Sequence, residues 1–331
     1  MSLTGTDALA LPELHELVNA RGDRVQLCSF GARVASIQLE LKGGRRQVTL
    51  GYPRLADYLD DRYFVGATIG RCANRIRGAR LPVGHRCFRL TANDGANQLH
   101  GGPNGFHRRY WFVGGGATAR HVEYCLQSPD GDAGYPGNLR ASVRLSWNDE
   151  RELSIRYAAS TDLPTHVNLT NHTYFNLDGA GFDVLGHRVR IQADSITDVG
   201  PELLPTGALL PVEGTALDLR RSTALATLVG SGDRRVALAG GADFNYVLTG
   251  EEPAAAVTGS RGDLELEVHT TCPGLQLYSG QNLGAPFAPF AAFCLETQYF
   301  PDSPNQPRFP PTLLEPGRLY SESTTYRFFE P

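Results

Sequence analysis

The chain has 331 residues, of which 41% are hydrophobic and 20% are charged, with a formal net charge of −4 at pH 7. This balance excludes an intrinsically disordered chain, and the absence of a basic excess disfavours a nucleic-acid partner. No stretch approaches the roughly 18 consecutive apolar residues of a membrane helix, and the N-terminus lacks the pattern of a secretory signal peptide.

The hydrophobic pattern predicts many short strands and few helices. Apolar and polar side chains alternate with a period of two, which predicts strands over residues 34–41, 141–147, 153–157, 189–193, 264–268 and 324–329. The short polar turn after residue 147 predicts a hairpin between its flanking strands. Helical pattern is limited to one or two turns over residues 11–18, 53–61 and 223–229. With 37 Gly and 21 Pro breaking the chain, we predict one large all-β sandwich or barrel.

The cysteines give no sign of a metal or redox motif. None of the six belongs to a C-x-x-C pair, and most are flanked by strand-like sequence; they are Cys28, Cys72, Cys87, Cys125, Cys272 and Cys294. We therefore expect buried free thiols that pack as small hydrophobic residues, and from them a cytoplasmic location.

Two polar loops in the first third of the chain carry candidate ligand-binding residues. Asn74 and Arg75 stand side by side after an apolar run, and their fixed donors suit a polyhydroxylated ligand or a carboxylate. His100 precedes two glycines, which allow close approach of a ligand to the backbone. A surface arginine, a turn asparagine and a structural histidine would explain the same residues. His100 has no second histidine at metal-ligand spacing, so a metal site is weakly supported.

Three further segments contribute acid–base or polar candidates. His172 lies at the centre of NLTNHTYFNL, which holds more hydrogen-bonding groups than a strand needs, so it is a candidate acid or base. An Asn/Thr-rich turn around a structural histidine would explain the same segment. Asp243 and Gln276 each occupy strand-like sequence and could equally be a turn aspartate and an edge-strand glutamine. Glu296 follows an apolar run, where an unpaired carboxylate is costly to bury. It is therefore either ion-paired or chemically active.

Taken in order, these motifs resemble the aldose 1-epimerase (galactose mutarotase) family. The matching segments are LGYPRLADYLDDRYFVGATIGRCANRI, NQLHGGPNGFHRRYW, GYPGNL, NLTNHTYFNLDG, DFNYVL, PGLQLYSGQNL and FCLETQYFPDSPNQPRFP. They extend from about residue 50 to residue 310, and seven ordered blocks are far more specific than LHGG alone.

The resemblance implies a single large antiparallel β-sandwich domain over residues 1–331 with few short helices. It also implies an isomerase that interconverts the α and β anomers of a free aldose such as D-galactose or D-glucose, with no metal and no organic cofactor. By this resemblance Glu296 matches the general base, His172 the general acid and His100 a second active-site histidine. The expected sugar-binding residues are His100, Asn74, Arg75, Asp243 and Gln276.

Several finer expectations follow from that chemistry. For His172 to donate a proton at neutral pH, a nearby carboxylate, Asp243 or Glu296, should raise its pKa. An aromatic ring should face the sugar, with Tyr110, Trp111 and Tyr278 as candidates. Cys272 and Leu277 depart from the family pattern near the expected site, which leaves the preferred aldose open.

Two other functions are compatible with parts of the pattern. A non-catalytic carbohydrate-binding or sensor protein would bind sugar without changing the rate of anomer exchange. A glycoside hydrolase would use Asp243 and Glu296 as its two carboxylates. The expected partner is a small-molecule aldose, with neither nucleic acid nor membrane, and the chain could be a monomer or a homodimer.

Overall fold

The computed structural model of the protein describes residues 12–331. Within them, 27 strands alternate with short loops: β1 (Leu14–Val18), β2 (Arg24–Cys28), β3 (Arg33–Leu41), β4 (Gly44–Gln47), β5 (Thr68–Ile69), β6 (Arg75–Ile76), β7 (Arg80–Val83), β8 (Arg86–Arg89), β9 (Gln98–Leu99), β10 (Phe112–Ala117), β11 (His121–Ser128), β12 (Leu139–Trp147), β13 (Glu152–Thr161), β14 (Thr165–His166), β15 (Thr170–Asn171), β16 (Tyr174–Phe175), β17 (Arg188–Ile191), β18 (Ala193–Val199), β19 (Pro205–Pro211), β20 (Thr223–Ala224), β21 (Asp243–Leu248), β22 (Ala255–Thr258), β23 (Glu265–Thr270), β24 (Gly274–Tyr278), β25 (Phe293–Gln298), β26 (Leu313–Leu314) and β27 (Tyr320–Phe329).

Helical structure in the same residues is short. The two α-helices are α1 (Leu225–Val229) and α2 (Arg234–Ala239), and the 3₁₀ helices cover Leu55–Asp60, Arg77–Ala79, Phe106–Arg108, Asp132–Gly134 and Ser303–Asn305. Within residues 12–331, no helix has the length and apolar character that crossing a bilayer requires.

Two large antiparallel sheets form the sandwich. One has nine strands in the order β10-β11-β12-β13-β27-β23-β22-β17-β20, and the other has six in the order β16-β25-β24-β21-β18-β19. Their facing sides share one apolar core, in which the Phe175 ring lies 5.0 Å from that of Tyr326 and the Tyr326 hydroxyl donates to the Leu295 carbonyl. The predicted all-β antiparallel sandwich is therefore confirmed.

Most of the predicted elements are present. The alternating segments 141–147 and 153–157 form the β12–β13 hairpin, and residues 34–41 lie in β3. Short helices occupy parts of residues 53–61 and 223–229. The helix predicted over residues 11–18 is wrong, because residues 14–18 form β1, which pairs with β2 along its length. Residue 11 lies outside the described residues. Strand pairing here outweighs a local helical pattern of only two turns.

The two faces of the six-stranded sheet differ in chemistry. On its central strands, Phe244, Leu277 and Leu295 point into the shared core. The opposite face carries polar side chains, because successive residues of a strand point to opposite sides. Cross-strand register places Asn245, Gln276 and Glu296 in one row of that face and Asp243, Tyr278 and Cys294 in the next.

A buried ion pair fixes the loop that covers this polar face. The Arg33 guanidinium pairs with Asp61 and also donates to the carbonyls of Val65 and His107, and both charged side chains are almost completely buried. Asp61 in turn accepts from the backbone N–H of Tyr63 and Val65. The ion pair therefore ties β3 to the segment 61–65.

We expect Arg33→Ala to destabilise the protein strongly, since it leaves the Asp61 carboxylate buried without its partner. Breaking a buried pair in this way costs about 3–5 kcal/mol. Arg24→Ala is the matched control, because the Arg24–Glu16 pair is exposed to solvent and contributes below about 1 kcal/mol. Urea unfolding curves for both variants measure the difference. Equal stability of the two variants would contradict a structural role for Arg33.

Candidate active site

A cavity of about 270 Å³ opens on the polar face of the six-stranded sheet. It is lined by Arg62, Tyr63, Phe64, Asn74, Arg75, Leu99, His100, His172, Tyr174, Asp243, Tyr278, Asn282 and Glu296. Larger depressions on the nine-stranded sheet are lined mainly by exposed or partly exposed side chains. The cavity above the polar face instead gathers buried titratable groups, which is typical of a functional site.

Two hydrogen bonds connect Asn74 and His100 beside the β6–β9 strand pair. The backbone N–H of Asn74 donates to Nδ1 of His100 at 3.2 Å, and the backbone N–H of His100 donates to the Asn74 carbonyl at 2.9 Å. Arg75 follows directly and forms an ion pair with Asp94, with a distance of 2.8 Å between Nε and Oδ2. The two polar loops predicted from sequence therefore meet at one wall of the cavity.

The backbone of this wall adopts unusual conformations. Asn74, His100 and Phe64 have φ angles of 57°, 51° and 59°, in the left-handed region that non-glycine residues seldom occupy. Gly101 also has a positive φ, and a Cβ there would lie 1.9 Å from the carbonyl oxygen of Gly70. Only glycine therefore allows the two loops to approach this closely.

His172 lies in the loop between β15 and β16, where two hydrogen bonds of its backbone fix its position. Its N–H donates to the Ala67 carbonyl at 2.8 Å, and its carbonyl accepts from Gly66 at 3.0 Å. The imidazole is buried, with Nε2 3.7 Å from Oε1 of Glu296. These contacts bring the predicted acid and the predicted base together from segments 124 residues apart in the sequence (296 − 172).

Asp243 and Gln276 lie beside Glu296 on the same sheet face. Nε2 of Gln276 donates to Oδ1 of Asp243 at 2.6 Å, and Asp243 lines the cavity. Gln276 is buried behind Asp243, with its Oε1 lacking a hydrogen-bond partner in the protein. Gln276 itself is not among the residues that line the cavity, whereas Glu296 lines it with an Oε2 that also lacks a protein partner and is available to a ligand or to water.

Burial controls the acid–base properties of the site. Loss of solvation raises the pKa of Glu296 well above its ordinary value, and the nearby Asp243 charge raises it further. Burial lowers the pKa of His172 to about 4, partly opposed by a hydrogen bond with its own backbone carbonyl. The expectation that a carboxylate raises the pKa of His172 is therefore wrong in direction, because loss of solvation outweighs the neighbouring negative charge.

His100 behaves as a neutral hydrogen-bond donor. Burial lowers its pKa well below the ordinary value, and the positive charge of a protonated His172 would lower it further. Because Nδ1 accepts from the Asn74 N–H, the single ring proton of the neutral imidazole lies on Nε2. His100 therefore presents a fixed N–H to whatever occupies the cavity.

The same tautomer argues against a resident metal ion. His100, His172 and Glu296 each offer a donor atom within 4.8 Å of the others, a spacing that resembles a metal site. A ligating histidine normally donates its other ring N–H to an acceptor. Nδ1 of His100 faces a backbone N–H instead, so Nε2 would have to lose its proton to bind metal. The donor set therefore does not fit a metal.

Of the three aromatic candidates for facing the sugar, one lines the cavity and two do not. Trp111 is buried against Phe106 with a ring separation of 5.6 Å, and Tyr110 is 41% exposed beside Phe30; neither lines the cavity. Tyr278 does line it. Leu277 points into the apolar core and Cys272 is buried, so neither of these departures from the family pattern lines the cavity.

Two aromatic residues that were not predicted from the sequence, Phe64 and Tyr174, also line the cavity. The Phe64 ring packs 4.7 Å from that of His100 and 5.7 Å from that of His172, and Tyr174 lies 4.9 Å from His172. Tyr174 lies within the motif around His172, which could have suggested it. Phe64 lies in the matching segment LGYPRLADYLDDRYFVGATIGRCANRI, but no pattern in that segment distinguishes it, because its position depends on the buried Arg33–Asp61 pair.

The sequence matches the family model described as aldose 1-epimerase over residues 13–327. The chain is 39% identical over 328 residues to the aldose 1-epimerase of Escherichia coli strain K12, covering 94% of each chain. The chain belongs to the aldose 1-epimerase family. It is also 38% identical over 318 residues to the human galactose mutarotase, covering 92% of this chain and 91% of the human one.

Solved structures of family members share the fold. The Caenorhabditis elegans GalM/aldose epimerase homologue superposes with a TM-score of 0.90 at 29% identity, covering 96% of this chain and 99% of the other. The galactose 1-epimerase of Lactobacillus acidophilus superposes with a TM-score of 0.87 at 28% identity, covering 96% and 95%. The similarity therefore extends over nearly the whole sandwich.

Proposed function

We propose that this protein is an aldose 1-epimerase that interconverts the α and β anomers of a free aldose such as D-galactose or D-glucose. The observation that carries the proposal is the contact between His172 and Glu296, a buried imidazole and a buried carboxyl 3.7 Å apart. The cavity of about 270 Å³ is of a size suited to one monosaccharide.

Anomer exchange requires one acid and one base. The proton of the C1 hydroxyl leaves while the ring oxygen gains a proton, so the C1–ring oxygen bond breaks and an open-chain aldehyde forms. Rotation about C1–C2 and reclosure with the proton transfers reversed give the other anomer. We assign proton removal to Glu296 and proton donation to His172, and each such transfer typically contributes about 10²–10⁴ in rate.

Burial gives this pair the one transferable proton that the reaction needs. A protonated Glu296 beside a neutral His172 contains as many protons as a carboxylate beside an imidazolium. Because burial raises the pKa of Glu296 and lowers that of His172, the uncharged form of the pair is favoured before substrate binds. The ion-pair form then holds its proton on a strongly acidic imidazolium, which readily donates it to the sugar ring oxygen.

The remaining polar residues suit recognition of sugar hydroxyls. Nε2–H of His100 and the guanidinium of Arg75 are donors, and Asp243 is an acceptor held by Gln276. Asn74 also lines the cavity, and its side-chain oxygen accepts a hydrogen bond from the backbone N–H of Arg75. Tyr278 and Phe64 offer the ring faces that a sugar could contact.

We further propose that residues 1–331 act as one functional domain, since the residues that line the cavity come from segments between residues 62 and 296. The protein would act in cytoplasmic hexose metabolism, as a monomer or a homodimer. All six cysteines lie among the described residues and are free, which agrees with a reducing compartment.

Removing either proton-transfer group should abolish most of the activity. We expect Glu296→Gln and His172→Asn each to lower kcat by about 10²–10⁴-fold, because each variant leaves the pair without a transferable proton or its acceptor. Polarimetry of freshly dissolved α-D-galactose and α-D-glucose, corrected for the spontaneous rate, measures this loss.

Glu315→Gln is the matched control for this experiment, because Glu315 is an exposed carboxylate outside the cavity. It should retain wild-type activity. Saturable sugar binding by a wild-type protein that does not accelerate mutarotation would instead indicate a carbohydrate-binding protein. Full activity of Glu296→Gln would contradict the role assigned to that residue.

The activity should persist into acidic solution. A second proton enters the pair only when His172 is protonated, near its pKa of about 4, and the site then lacks a base. At high pH the pair loses its only proton, at the raised pKa of Glu296. We therefore expect kcat/KM to fall on the acid side near pH 4. A fall near pH 6.5, where a solvated histidine titrates, would contradict the account.

A further inference from the structure

Cys294 lies directly behind the imidazole that the proposed reaction uses. Its Sγ is 3.4 Å from Nδ1 of His172, and both side chains are buried. Cys294 precedes Glu296 by two residues on β25, so the two side chains share one face of the strand. A single strand therefore presents the proposed base to one ring nitrogen of His172 and a thiol to the other.

The thiol is an uncharged partner for the ring. Burial raises the pKa of Cys294 well above its ordinary value, and the nearby Glu296 charge raises it further, so the sulfur keeps its proton. A neutral sulfur is a weak acceptor of hydrogen bonds. It can orient an N–H group without adding the negative charge that would stabilise an imidazolium.

Proton transfer between Glu296 and His172 requires that the permanent ring hydrogen of His172 lie on the other nitrogen, Nδ1. Nε2 faces Oε1 of Glu296, so it must accept the proton in one form of the pair and release it in the other. A neutral imidazole whose Nε2 is free to accept carries its hydrogen on Nδ1. That N–H points to the sulfur of Cys294 in both forms.

We propose that Cys294 is a positioning residue for anomer exchange, because its sulfur accepts a hydrogen bond from Nδ1–H of His172 and so reserves Nε2 for proton transfer. This inference rests on the proposed function of the site. A carboxylate in the place of Cys294 would orient the ring equally well, but its charge would make the imidazolium a weaker acid. The neutral sulfur orients the ring and leaves His172 able to release its proton to the sugar.

Two substitutions of Cys294 separate hydrogen bonding from packing. Cys294→Ala removes the acceptor, and we expect kcat to fall about five- to tenfold, as for loss of one hydrogen bond, with KM within about twofold of the wild-type value. Cys294→Ser keeps a neutral acceptor of similar size and should restore most of the loss. Cys28→Ala is the matched control, because Cys28 is equally buried in the same apolar cluster and should leave kcat unchanged.

The tautomer itself can be observed without an activity assay. In the wild-type protein labelled with ¹⁵N-histidine, NMR at neutral pH should show the His172 ring with its proton on Nδ1. The ring in Cys294→Ala should show a mixture of tautomers. A wild-type ring protonated on Nε2 would overturn the inference, as would an unchanged kcat and tautomer in Cys294→Ala.

The kinetic outcomes also separate this inference from the proposed function. A wild-type protein that does not accelerate mutarotation contradicts the function itself. An active wild type together with equal losses of kcat in Cys294→Ala and Cys294→Ser, with the tautomer unchanged in both, contradicts the hydrogen bond alone. If Cys294→Ala does not fold, the remaining tests are the wild-type tautomer and the kcat of Cys294→Ser. A wild-type ring protonated on Nδ1 and a kcat near the wild-type value support the hydrogen bond, and a wild-type ring protonated on Nε2 contradicts it.

Discussion

The burial of Glu296 against His172 is the constraint on which the site depends. Loss of solvation raises the pKa of Glu296 and lowers that of His172, so it favours an uncharged pair with one proton on the carboxyl group over a carboxylate–imidazolium pair. That proton is the quantity that a ring-opening isomerisation must move. The chemistry of the proposed reaction thus follows from where the fold excludes water more than from the ordinary pKa of either residue.

The fold produces this burial by using both faces of one sheet. Leu295 and Leu277 anchor β25 and β24 in the apolar core, while Glu296 and Cys294 point the other way into a covered polar layer. The cover comes from loops of the N-terminal third of the described chain. The buried Arg33–Asp61 pair holds one of these loops in place, so a stabilising interaction outside the cavity also shapes it.

Much of the architecture could be predicted from sequence, because period-two alternation is a local signal. The β12–β13 hairpin is confirmed on that basis, and the short helix at α1 is confirmed from its helical pattern. The predicted helix near the N-terminus failed because β2 supplies a pairing partner that a local window does not include. The motifs also identified His172, Glu296, His100 and Asp243, which the fold brings to one cavity.

Other properties of the site depend on three-dimensional context. Phe64 lines the cavity from a loop within the first matching segment, but the shape of that loop depends on the distant Arg33, which pairs with Asp61. The direction of the His172 pKa shift could not be read from neighbouring residue types, because it depends on how completely water is excluded. The contact of Cys294 with His172 likewise joins residues 122 positions apart. The sequence therefore identifies most of the residues of the site, whereas the protonation states of His172 and Glu296 depend on how the folded chain packs around them.

The central claim is that the protein opens and recloses a sugar ring by moving hydroxyl protons alone. Exchange NMR on an equilibrium mixture of D-galactose anomers in D₂O tests it most directly. The account predicts α–β exchange cross-peaks far above the uncatalysed level, with no deuterium entering at C1 or C2, since no carbon–hydrogen bond breaks. Cross-peaks at the uncatalysed level, or deuterium at C2, would contradict it.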